Sequence, residues 1–158
     1  MFFQDGLGRR IGVTHTRLVH MGDPYLAAQR TTFRGYGWSG AIEVESIIDG
    51  NVTNAGVERY RGLNGRHLTG HCAGVEADGV AWLSCRTRSS RIRIAIAVRT
   101  SSRPLVAVGA GCTEAGTVQR LRLPVSRGHS ATVVKCAALY TSQDCPLSEP
   151  LPLAVERV

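Results

Sequence analysis

What this 158-residue sequence lacks narrows it quickly. No segment sustains a 3.6-residue apolar period between capping residues, so helices are expected to be scarce. No run approaches the ~20 apolar residues of a membrane span, and no basic stretch followed by an apolar run opens the chain. A membrane protein and a cleaved leader are therefore not expected, and the expected location is cytoplasmic. Aromatic residues make up only 6% of the chain, and none forms an RNP-like motif. Zinc-finger and helix-turn-helix patterns are missing too. The formal net charge is +7, yet it comes from 18 Arg and one Lys spread along the chain. Sequence-specific nucleic-acid binding is thus not expected, although weak retention on polyanions is. Repeats, heptads and low-complexity tracts are also missing.

The five cysteines, Cys72, Cys85, Cys112, Cys136 and Cys145, are odd in number and share no C-x-x-C spacing. A chain of this length buries roughly 70% of its unfolded surface and needs no disulfide framework. The cysteines read as small core hydrophobes and unpaired thiols. His67, His71 and Cys72 are zinc-ligand types, but Gly70 and the flanking polar run oppose the helix that would align the two His. No metal and no cofactor are expected.

What is present is period-two alternation. In the segment 91–99, Ile92, Ile94, Ile96 and Val98 face one way, while Arg91, Arg93, Ala95, Ala97 and Arg99 face the other. This predicts a half-buried strand with the Ile face inward, and β-branching adds propensity. Segment 130–140 is apolar on both faces, as in a strand within stacked sheets. Further strands are predicted over 11–20, 25–33, 40–48, 79–86, 105–108 and 117–123. Asp49-Gly50, Asn64-Gly65, Asp78-Gly79 and Arg127-Gly128 punctuate them. Short strands at roughly ten-residue intervals predict an all-β, antiparallel two-sheet sandwich. Trp82, inside a strand, reads as core, and Trp38, between glycines, as a residue exposed at a turn. Pro146 to Pro152 reads as an extended linker, giving a domain over 1–145 and an exit segment over 146–158.

Catalytic constellations are scarce. The run from Gly109 to Gly116 is G-x-G-x-x-x-x-G, but alternating residues follow it, so a Gly-rich turn is expected instead of a dinucleotide site. No Ser lies in G-x-S-x-G. Glycoside chemistry needs two carboxylates flanking one bond, and nothing in the sequence pairs any two of the 12 Asp and Glu. The one ligand-like constellation is the polar, Gly/Asn-rich run 54–67. Such a run cannot build a core element and reads as a long structured loop. Asn54, Arg59, Tyr60, Arg61 and His67 supply hydroxyl-binding donors and an aromatic face, the chemistry of a sugar site. The same Arg residues are equally suited to fixing the loop by salt bridges.

Read as D-G-x-V-x-N-A-G-V-x-R-Y-R-x-L, residues 49–63 resemble a signature of the N-terminal domain of glycoside hydrolase family 65, the maltose, trehalose and kojibiose phosphorylases and acid trehalases. Residues 17–28 (RLVHMGDPYLAA) are similar to the family's R-x-x-S-M-x-D-x-H-L-A-A, with His20 at the usual Ser and Tyr25 at the usual His. Residues 135–150 (KCAALYTSQDCPLSEP) are similar to its last strand and exit. The resemblance implies part of a galactose-mutarotase-like super-sandwich, truncated at its start. It also implies that the family's general acid and phosphate or base residues lie in an α/α barrel beyond this chain. No catalytic residue is carried over.

The expected function is therefore a non-catalytic accessory domain of an α-glucoside phosphorylase or hydrolase. It lends the loop to an active-site rim that takes an α-linked glucose disaccharide, and it offers an interface to the barrel or to a second copy. A stand-alone carbohydrate-binding module, and a remnant or split-gene half, are the alternatives.

Overall fold

Alternating sequence becomes strand almost throughout. The computed structural model describes residues 1–53, 65–144 and 149–158. The strands are β1 (Phe2–Gln4), β2 (Arg10–Val19), β3 (Leu26–Tyr36), β4 (Gly40–Asp49), β5 (Leu68–Val75), β6 (Ala81–Thr87), β7 (Arg93–Arg103), β8 (Val108–Thr113), β9 (Gly116–Val125) and β10 (Ser130–Thr141). Among the described residues, one helix, α1 (Pro150–Arg157), follows. All pairings are antiparallel. A seven-stranded sheet runs β1-β2-β3-β10-β7-β6-β5, and a three-stranded sheet runs β4-β9-β8. The expected two-sheet, all-β sandwich is what the chain forms.

The core lies between the sheets. On β9, Thr117, Gln119, Leu121, Leu123 and Val125 are buried while Arg120, Arg122 and Pro124 are exposed. Leu121 and Leu123 pack on Ala131 and Val133 of β10, with Phe33, Ile42 and Val44 around them. Pro124 is tolerated because β8 reaches only Leu121, so that side of β9 has no ladder to complete there. A second cluster joins Ile48 of β4 to Ala81, Leu83 and Val98. Gly116 turns β9 so close to β4 that any Cβ there would overlap the Ile48 carbonyl.

The turns follow their residues. Asp78-Gly79 closes the β5–β6 hairpin, with Gly79 at φ 87° and Gly79 N–H donating to Glu76 O at 2.9 Å. Gly128, at φ 79°, turns β9 into β10. Asp49-Gly50 ends β4 without a hairpin.

Several expectations are corrected. Ile92 precedes β7, since the tight turn before it, with Arg91 at φ 58°, delays the strand to Arg93. The face of β7 opposite the Ile residues is buried as well: Ala95 and Ala97 are fully covered, and Ile94 and Ile96 only half-buried. The cause is α1, which lays Ala154, Leu151 and Val155 over Val80, Ala95, Ala97, Trp82 and Tyr140. Residues 150–157 are thus helical where an extended run was expected. Pro150 and Pro152 occupy the first turn, where a missing N–H costs no helical bond, and the rest of the segment is apolar on one side. The small Ala residues of β7 are what let a helix approach.

Strand β8 begins at Val108 and runs through the Gly-rich stretch to Thr113, so the turn shrinks to Glu114-Ala115. Strand β5, over a segment taken as flanking loop, pairs with β6 around an irregularity between Thr69 and Cys72, where Gly70 adopts φ 64°. Trp38 is half-buried instead of lying open at its turn. Its Nε1–H donates to Arg10 O at 2.7 Å, and Arg9 lies 5.4 Å from its ring. Trp82 is half-buried under α1 and donates to Glu76 at 2.7 Å.

Candidate functional site

Of the five sugar-site residues, Asn54, Arg59, Tyr60 and Arg61 lie outside the described residues; His67 is described and exposed. The shoulders of the loop are well tied. Gly50 N–H donates to Ala115 O at 2.8 Å, and His71 Nε2 lies 3.0 Å from Gly50 O. Asn51 N–H donates to the Asp49 carboxylate at 2.8 Å. On the return side, Arg88 N–H donates to His67 O at 2.8 Å. The loop therefore leaves β4 beside the β8–β9 turn and enters β5 beside the β6–β7 turn. His71 spans the gap between its two stems, and its neighbour Gly50 has no room for a side chain against it.

Elsewhere, five of the described carboxylates are paired with arginines. Asp5 pairs with Arg9, Asp78 with Arg99, Glu45 with Arg120, Glu149 with Arg93, and Asp23 with Arg157. Arginine hydrogen bonds hold the carboxyls of Asp5, Asp23 and Asp78 below the ordinary carboxylate range. A glycosidic general acid needs the opposite shift. Among the described residues, no group of three or more His, Cys, Asp or Glu stands together as a metal cage. Cys72, Cys85, Cys112 and Cys136 are free thiols, with burial pushing the Cys85 thiol up.

A second feature was not legible from motifs, because it is made by register across four strands. Pairings His15↔Thr31 and Thr31↔Val133 align one row, and Arg17↔Gln29, Gln29↔Lys135 and Lys135↔Thr100 align the next, on the face turned toward the small sheet. Between this face and β4 lies a cleft of about 450 Å³, lined by His15, Gln29, Thr31, Glu45 and Lys135, with Phe3 and Phe33 as aromatic walls. His15 Nδ1 lies 2.9 Å from Thr31 Oγ1, and Gln29 Nε2 donates to the same oxygen at 3.3 Å. Lys135 Nζ donates to Ile47 O at 2.7 Å, and burial lowers its pKa. Deeper in, Thr100 Oγ1 donates to Gln119 Oε1 at 2.6 Å, and Gln119 Nε2 donates to Gly79 O at 2.9 Å.

Comparison with known proteins places this geometry. Residues 1–158 match the family model described as glycosyl hydrolase family 65, N-terminal domain. Over 147 residues, covering 90% of the chain, the sequence is 36% identical to an uncharacterized glycosyl hydrolase of Mycobacterium tuberculosis strain CDC 1551 / Oshkosh, and equally to one from strain ATCC 25618 / H37Rv. The chain spans 11% of the length of these relatives. Among solved structures, "Putative kojibiose phosphorylase from human microbiome" superposes with a TM-score of 0.71 at 15% identity, over 84% of this chain and 16% of that one. The superposition supports the fold, and the match along the whole sequence supports the lineage: this chain belongs to the N-terminal domain of glycosyl hydrolase family 65.

Proposed function

We propose that the chain is a non-catalytic accessory domain of an α-glucoside phosphorylase or hydrolase of the maltose, trehalose or kojibiose type. It lends the 54–67 loop to the rim of a partner α/α barrel's active site, where Asn54, Arg59, Tyr60, Arg61 and His67 contact an α-linked glucose disaccharide. The observation that carries the reading is the family match along the whole chain, joined to a loop whose two stems are held by hydrogen bonds to neighbouring turns and to His71. The commitment of Asp5, Asp23, Asp78, Glu45 and Glu149 to Arg partners supports a role without acid–base chemistry. Free thiols at Cys72, Cys85, Cys112 and Cys136 favour action in the cytoplasm, where thiols stay reduced. No helix among the described residues is long and apolar enough to cross a membrane. We place residues 146–158 at the passage toward the barrel, with α1 bracing the sandwich along it.

The test is disaccharide kinetics with the barrel-bearing enzyme of which this domain is part. Arg59→Ala with Arg61→Ala is expected to raise KM for the disaccharide about tenfold or more, the scale of one or two lost charged hydrogen bonds. A KM unchanged in a folded double variant contradicts the rim assignment.

A further inference from the structure

The cleft between β4 and the β1-β2-β3-β10 face has no part in the loop-based reading, and its chemistry is specific. We propose that it is a second saccharide site, seating a single neutral hexose unit away from the barrel's rim.

Three observations carry this. First, the cleft is built by strand register, so its polar groups are held on rigid elements: His15 and Thr31 in one row, Gln29 and Lys135 in the next. Its volume, about 450 Å³, lies in the range of small-molecule pockets.

Second, its hydrogen-bonding capacity is only part-used among the described residues. Lys135 spends one N–H on Ile47 O and keeps two. Gln29 commits its amide nitrogen to Thr31 and leaves Oε1. His15 commits Nδ1 to Thr31 and leaves Nε2. The Lys135 donors, the Gln29 acceptor and the His15 ring nitrogen thus converge on one space. A ring of hydroxyls, each donor and acceptor at once, satisfies that mixture. A simple anion, which only accepts, would leave the Gln29 Oε1 acceptor without a donor, and an apolar ligand would strand Lys135 and His15 as well, at the cost of unsatisfied desolvated groups.

Third, Phe3 and Phe33 give the cleft aromatic walls, which suit the C–H face of a pyranose. Phe3 is 53% exposed and His15 is exposed, so the cleft opens to solvent on the β1–β2 side.

The proposal draws on the family's carbohydrate chemistry but not on the rim loop, so the two fail separately. The experiment is a chemical-shift titration of the isotopically labelled chain with glucose and with maltose, into the hundred-millimolar range. Glucose 6-phosphate and a short alkyl detergent below its micellar concentration form separate arms. Expected are saturable shifts at His15, Gln29, Thr31 and Lys135 with a millimolar Kd for glucose and maltose. Gln29→Ala and Lys135→Met, each giving a folded spectrum, are expected to weaken binding about fivefold to tenfold, the worth of one or two hydrogen bonds. Should Lys135→Met fail to fold, His15→Ala, at an exposed position in the cleft, carries the same test. Glucose and maltose leaving the cleft resonances unmoved would overturn the proposal, as would binding confined to the phosphate or detergent arm, or shifts indifferent to every variant. In each of those cases the accessory role at the barrel rim still stands.

Discussion

At the scale of the residue, the most consequential polar groups sit where sheets and helix meet. Asp23, in the β2–β3 turn, is buried, and it receives two guanidinium hydrogen bonds from Arg157 at the end of α1, one from Nε at 2.9 Å. Those bonds hold the Asp23 carboxyl below its ordinary range and push the Arg157 guanidinium up. A carboxyl whose folded pKa is depressed adds stability above the unfolded pKa of ~3.9 and loses it as pH falls through the folded value. Arg157→Ala is therefore expected to lower Tm by a few degrees near neutral pH. The gap from wild type should close in acid, once Asp23 is protonated in both proteins. Parallel thermal scans across the acid range check this, and a gap that stays constant with pH contradicts it.

Gln119 is 1% exposed and holds both Thr100 and the Gly79 carbonyl. Gln119→Ala removes both bonds and opens a cavity between the sheets, with an expected cost of about 3 kcal/mol in urea denaturation. A cost below about 1 kcal/mol would mean that the site collapses or rehydrates.

At the scale of the element, β9 is the spine of the small sheet, while β7 and β10 lie between packed layers. Leu123→Ala, at a fully buried position on β9, is expected to cost about 2–5 kcal/mol. Ile94→Ala, on half-buried β7 surface, is expected to cost only about 1 kcal/mol. Equal costs would show that the two positions were misplaced. Strand positions were legible because period two survives wherever one face meets a core: β2, β3, β4, β9 and β10 all fall within a few residues of their predicted spans. Helix α1 was not legible, because two prolines in a short segment read as a broken extended run. Only the small Ala95 and Ala97 beneath it show why a helix fits. Strand β5 was hidden by Gly70, whose positive φ breaks the alternation that would have marked it. The loop stood out by composition alone. The inter-sheet cleft did not, since Lys135 joins His15, Gln29 and Thr31 of the β2–β3 hairpin only through pairing across more than 100 residues of sequence.

At the scale of the whole molecule, coverage is uneven. The three-stranded sheet shields β10, β7, β6 and part of β3, while β1 and β2 carry much of the exposed apolar surface. Phe2 is 76% exposed, and Leu18 and Val19 are each 62% exposed. β1 is also an edge strand with unpaired backbone groups on its outer side. On the proposed accessory role, the barrel or a second copy covers such a surface. The isolated chain is expected to self-associate, with light scattering showing mass above the 17.0 kDa monomer at high concentration. Phe2→Lys with Leu18→Glu is expected to shift it toward monomer. A wild-type chain that stays monomeric throughout would move the weight of the account toward an independent binding module.

The measurement that bears most directly on the central claim is disaccharide turnover by the pure chain. Maltose, trehalose and kojibiose are each supplied with and without inorganic phosphate, and glucose and sugar phosphate release are followed. The account expects no release above background in any arm. Sustained turnover by homogeneous protein, abolished by substituting a single carboxylate in this chain, would contradict it.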